Sequence, residues 1–193
     1  LGTWVPFGEG DDQFWHNETL GVSLWKNPSN TTNIFEASLE GNVFFLQVYL
    51  EVGGDLTVCD PKGVSALHYS CAGGALNTLD FLIKSTDQDV IDYQDHEGCS
   101  PLFYACRYGY ENLVHLLLEN GAAVHLQNVE GDTCLHHAAD YGQMECVQLM
   151  LDCGLDPLQE NVRGLKPADI AAQKGHESVH IFYVILSNRG DYV

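Results

Sequence analysis

The sequence predicts a mainly α-helical chain: a solenoid of about five stacked units, each a helix-turn-helix with a β-hairpin turn, preceded by a small three-stranded antiparallel sheet. Three observations predict this. Blocks opening at Gly63, Gly98, Gly131 and Gly164 repeat one pattern, with their glycines 35, 33 and 33 residues apart. A fixed period of roughly 20 to 50 residues marks stacked repeats. Each block holds two stretches of apolar residues at helical spacing with a glycine between them. Before residue 31 the period vanishes, and short aromatic runs alternate with turn residues.

Residues 1–30 form the first domain. Trp4 and Trp25 are 21 residues apart, the pair Phe14-Trp15 lies between them, and Pro28 follows the second Trp by three. Gly10-Asp11-Asp12 and Glu18-Thr19-Leu20-Gly21 read as turns between three strands of about four to six residues. A sheet this small is stable only when aromatic rings pack across it. The spacing resembles that of a WW domain. The resemblance implies a buckle of Trp4, Trp15 and Pro28 on one face and a clamp of Phe14 and Trp25 on the other. By the same resemblance Phe14, His16, Glu18, Ser23 and Trp25 make a site for a proline-rich peptide in an extended left-handed helix. Asn17 matches the family's Asn. Phe14 stands where the family has Tyr, which keeps ring packing but removes a hydroxyl. Glu18 stands where readers of Pro-Pro-x-Tyr carry His, so it suits an Arg or Lys flanking the prolines.

Residues 31–190 form the array. The first unit is degenerate, with Ile34 and Phe35 in the motif positions, an Asn33…Glu36 capping box, and Gly41 ending its first helix. The second runs from Gly63 and carries two extra residues within "STDQDVIDYQD", expected as a longer loop. In the third, Pro101 starts a helix where its missing N–H costs nothing, and Gly109 ends it. Leu102, Ala105 and Cys106 face inward, and Leu113, Val114, Leu116, Leu117 and Leu118 make an apolar second helix closed by Asn120-Gly121. The fourth runs from Gly131. The fifth, from Gly164, has Asp169 in place of the motif His, and its second helix runs on through "ESVHIFYVIL". Altered end units are expected where a stack must shield itself from water.

The segments "DPKGVSALHYSC", "DHEGCSPLFYAC", "NVEGDTCLHHAA" and "NVRGLKPADIAA" resemble the ankyrin repeat. The resemblance implies that His68 and His136 bond nearby backbone or hydroxyls, such as Ser65 and Thr133, rather than metal or substrate. It also implies that partners bind hairpin tips and the exposed ends of first helices on a concave face. The tips are Lys62 and Val64; His96, Glu97 and Cys99; Glu130 and Asp132; and Arg163 and Leu165. The helix ends are Arg107 and Tyr108, Asp140 and Tyr141, and Gln173 and Lys174. Arg and Tyr are enriched at binding hot spots, which makes Arg107, Tyr108 and Tyr141 the expected contact centre.

Eight basic residues against 27 acidic ones give a net charge of −19. Such a field repels phosphate backbones and anionic membrane surfaces and steers basic proteins inward. No stretch approaches the roughly 18 to 20 apolar residues that span a bilayer. Seven cysteines without a Cys-x-x-Cys pair, two of them (Cys71 and Cys106) at a small-residue repeat position, read as free thiols. With no secretory leader, they predict an intracellular, cytoplasmic setting. The sequons at Asn17 and Asn30 then go unused, and Arg189-Gly190-Asp191 reads as an accidental match. Position 1 is Leu, which reads as the start of a trimmed piece. No phosphate loop, zinc-ligand spacing or nucleophile elbow is present, so no enzyme activity, metal or cofactor is expected.

Two functional readings stay open. One is a non-catalytic adaptor that joins a proline-rich segment to a second, basic protein. The other is the regulatory or targeting region of a larger multidomain enzyme, with the WW fold serving only as a cap on the stack.

Overall fold

The computed structural model describes the backbone of residues 33–189 and of three strands nearer the N-terminus, with side chains for residues 33–186. The strands are β1 (Trp4–Phe7), β2 (Phe14–Asn17) and β3 (Val22–Leu24), an antiparallel meander in which Trp4 pairs with Asn17 and Trp15 with Leu24. The side chains of Trp4, Phe14, Trp15, His16 and Ser23 lie outside the described set. Both expected turns, together with Glu18, Trp25 and Pro28, lie outside the described residues altogether.

Among the described residues ten helices follow in five pairs: α1 (Ile34–Glu40) with α2 (Val43–Glu51), α3 (Ala66–Gly73) with α4 (Leu76–Ser85), α5 (Pro101–Tyr108) with α6 (Glu111–Glu119), α7 (Cys134–Asp140) with α8 (Met144–Asp152), and α9 (Pro167–Lys174) with α10 (Glu177–Arg189). The first helix of each pair packs on the first helix of the next, and the second helices form a parallel layer behind them. Inward positions are filled by Leu67, Leu102, Leu135, Leu82, Leu117 and Met150, none more than 2% exposed. Full burial of such a side chain contributes about 1.5 to 3 kcal/mol. Cys71 and Cys106 are buried among them as free thiols.

The caps follow the sequence at α5 and, at α1, in the Asn33 half of the expected box. Asn33 Oδ1 accepts the Glu36 N–H at 2.9 Å, and Gly109 ends α5 in the left-handed region at φ 76°. The insertion in the second unit is not a plain loop. It forms a 3₁₀ turn over Gln88–Asp92 that buries Val90 and Ile91, and Asp92 Oδ1 accepts the Ala123 N–H at 2.9 Å. The extra residues are therefore fixed by the unit that follows them.

Candidate partner-binding cleft

Each hairpin turn is organised by one acid or amide side chain. The Oδ1 of Asp60, Asp95, Asn128 and Asn161 accepts the N–H groups two and four residues on, at 2.8 to 3.0 Å. Successive turns are then tied by one backbone bond each: His96 N–H to the Lys62 carbonyl, Val129 to Glu97 and Val162 to Glu130, all 2.9 Å. These bonds line up Lys62, Glu97, Glu130 and Arg163 as a row of tips. The second row comes from the helix ends Arg107, Asp140, Gln173 and Lys174. Between the rows of the third to fifth units lies a cleft of about 360 Å³.

One of its lining side chains, Arg107, is a cation over two rings. The Arg107 guanidinium carbon sits 5.4 Å from the centre of the Tyr104 ring and 5.6 Å from that of Tyr141. Nε and Nη2 of Arg107 reach His137 Nδ1 at 3.2 and 3.1 Å. His137 packs edge-on against Phe103, and Asn128 Nδ2 lies 3.3 Å from its other nitrogen. Burial, and then the neighbouring guanidinium, push the His137 pKa down to about 4, so the ring is neutral at pH 7. The other cations are paired: Arg163 with Glu130 at 3.6 Å and Lys174 with Asp140 at 2.9 Å. Its edge is largely charged, with Val129 the exposed apolar residue on the lining, and Val162, Tyr108 and Tyr141 are exposed outside it.

The cleft brings together eight of the residues expected at the interface: Glu97, Glu130, Asp132 and Arg163 on the tip side, Arg107, Asp140, Gln173 and Lys174 on the helix-end side. Tyr141 stands beside Arg107, and Tyr108 lies 6.3 Å from Tyr141 between ring centres. Lys62 and His96 remain exposed on the tips but do not line the cleft. Three expected tip contacts need correction. Val64 and Cys99 are buried, because the residue after the tip glycine turns inward to start the next helix. Asp132, in the same column, is 9% exposed, and Asn161 Nδ2 donates to its Oδ1 at 2.7 Å, so it edges the cleft from below rather than projecting from a tip. Sequence reasoning passed over Asn128 and His137. A comparison of columns would have found them: His137 occupies the place of Tyr69 and Tyr104, and Asn128 that of Asp60 and Asp95.

The motif histidines behave as expected and do one thing more. Nδ1 of His68 and His136 accepts the N–H of Ser65 and Thr133, both 3.1 Å. Their Nε2 then donates to carbonyls of the following unit, Cys99 at 3.0 Å and Leu165 at 3.2 Å. Burial lowers both pKa values, which keeps the rings neutral. Among the described residues no group of three or more His, Cys, Asp or Glu could hold a metal ion, and no helix is long and apolar enough to cross a membrane. Burial raises the thiol pKa of Cys71 and lifts that of Cys99 to about 11, so neither supplies a thiolate near neutrality.

The profile for ankyrin repeats (3 copies) matches residues 34–128 and 113–190. The chain belongs to the ankyrin-repeat family. Its relatives include ankyrin repeat protein nuc-2 of Neurospora crassa, 27% identical over 105 residues, which are 54% of this chain and 10% of that protein. A putative ankyrin repeat protein of Acanthamoeba polyphaga mimivirus is 30% identical over 99 residues, 49% of this chain and 13% of the viral protein. A palmitoyltransferase of Lachancea kluyveri is 42% identical over 64 residues, 33% of this chain and 8% of the enzyme. The chain thus spans about a tenth of the length of these relatives. Ankyrin stacks of this kind imply a role in protein–protein interaction.

Proposed function

We propose that this ankyrin chain is a non-catalytic, intracellular adaptor that holds a protein partner on the face between its hairpin tips and first-helix ends. One observation carries the reading: at the cleft Arg107 is a cation held over the faces of two tyrosines, with Val129 exposed on the same lining. Binding centres are built in this way, from aromatic and Arg anchors inside a water-excluding border. The net charge of −19 favours a partner that is basic overall.

In the same reading the N-terminal segment takes a proline-rich peptide through Phe14, His16, Glu18, Ser23 and Trp25, so that two modules act on linked ligands and gain avidity. A second reading draws on the palmitoyltransferase similarity: the stack serves as the regulatory region of a larger enzyme, with the N-terminal segment as its cap.

The test is a comparison of captured proteins among wild type, the double variant Tyr108→Ala/Tyr141→Ala, and Trp25→Ala. The tyrosine pair is expected to remove one set of partners without changing the circular dichroism spectrum, and Trp25→Ala to remove a different, proline-rich set. An unchanged profile from the tyrosine pair places the partner face elsewhere. An unchanged profile from Trp25→Ala reduces the N-terminal segment to a cap.

A further inference from the structure

Donors and acceptors around His137 do not balance. Two N–H groups of Arg107 are aimed at Nδ1, and the Asn128 Nδ2 group faces Nε2. That amide is held in place, because its Oδ1 already accepts from Glu130 and Asp132 N–H at 3.0 and 2.9 Å. A neutral imidazole has one N–H and one lone pair. Whichever nitrogen carries the hydrogen, one donor points at another donor. His137 is 8% exposed, so bulk water does not dilute the conflict, and a misdirected buried donor is unfavourable. The site is short of one acceptor.

The neighbours indicate which acceptor. Arg163 and Lys174 already hold Glu130 and Asp140, whereas Arg107 has no carboxylate within 4 Å among the described residues. Tyr104 and Tyr141 support its guanidinium through their ring faces, which leaves its N–H edges for planar, two-point recognition of a carboxylate. At the tip, Glu97 is exposed and, among the described residues, makes no ion pair.

Building on the reading of this face as the partner site, we propose that the cleft seats one Asp or Glu side chain of a partner segment whose flanking residues are basic. The carboxylate accepts both Arg107 donors. His137 then carries its hydrogen on Nδ1 and donates it to the same carboxylate, while Nε2 accepts from Asn128. Every donor has an acceptor. The flanking Lys or Arg residues meet Glu97 and the acidic field, which would repel a purely acidic segment.

The probes are two blocked tripeptides, acetyl-Lys-Glu-Lys-amide and acetyl-Lys-Gln-Lys-amide, titrated into the whole chain and followed by nitrogen NMR of the histidine rings and arginine side chains. The Glu peptide is expected to bind about tenfold tighter, to shift the Arg107 resonances and to move His137 to the Nδ1–H form. Arg107→Gln should erase the difference between peptides, while Lys84→Gln, a cation paired with Asp80 at 2.7 Å, should leave it intact. Equal affinity for the two peptides, with shifts still centred on Arg107 and Tyr141, overturns the carboxylate and leaves the partner face standing. Shifts confined to other surfaces overturn both. Absence of any shift from the Glu peptide overturns the carboxylate, and the tyrosine-pair experiment then decides the face by itself.

Discussion

One column of side chains shows how a single atom redirects a turn. Asp60 and Asp95 use Oδ1 for the turn amides and Oδ2 to accept the hydroxyls of Tyr69 and Tyr104, at 3.0 and 2.8 Å. Asn128 and Asn161 keep the Oδ1 role, but their second group is a donor. Asn128 therefore faces a ring nitrogen of His137, and Asn161, opposite the apolar Ile170, reaches Asp132 instead. His137 has a consequence for stability. Its folded pKa of about 4 lies below the ordinary 6.5, so the unfolded chain takes up the proton first as pH falls. Its contribution is complete above about 6.5 and is lost as pH drops towards 4, a loss of roughly 3 kcal/mol at 1.36 kcal/mol per unit. His68 and His136, also lowered, act in the same direction. Urea midpoints measured down through this range should fall more steeply for wild type than for His137→Gln. Parallel curves would mean that the ring is not held neutral.

At the scale of helices and turns, one tightly constrained point is a glycine at a tip. Gly98 has φ 80°, and a Cβ there would lie 2.9 Å from the Val129 nitrogen, whose N–H ties the third tip to the fourth. Gly154 has φ 85° and nothing within 4 Å of the same position. Both replacements by Ala carry the left-handed penalty of about 1 to 2 kcal/mol. Only Gly98→Ala should add the loss of a bond between units, and its urea midpoint should fall clearly below that of Gly154→Ala. Equal midpoints would show that the tips move apart without cost. Much of this scale is legible in sequence, because its causes are local: Pro101 opens α5, Gly109 closes it, and Leu102 and Cys106 are buried at one helical spacing. The 3₁₀ turn is not, since the segment that buries Val90 and Ile91 is tied through Asp92 to Ala123, 31 residues further on. The cleft divides in the same way. Arg107 and Tyr141 follow from their place in the repeat, whereas the part played by His137 depends on an arginine in one unit and an amide in another turn.

Across the whole stack, units touch only their neighbours, so stability is set seam by seam. A histidine clasp crosses the seam from the second unit to the third and from the fourth to the fifth. In the third unit that position is Phe103, so the middle one of the three tip seams lacks the clasp, as does the first seam of the stack with Phe35, and the middle seam has the edge contact of Phe103 with His137 and the Arg107–His137 bonds instead. Ends of a stack fray first, yet the amide of Val129 at the middle seam is expected to exchange with solvent faster than that of His96, although both tip bonds measure 2.9 Å. Greater protection at Val129 would show the clasp to be immaterial. The missing clasp has a mechanical meaning. Pulled from its two ends, the array is a row of springs in series, and the softest takes up most of the extension. The unclasped tip seam lies directly under the cleft, and a molecule gripping Arg107 and His137 straddles it. Among the three tip seams, load along the stack would stretch the docking site first, and an occupant would in turn stiffen the joint that lacks a clasp.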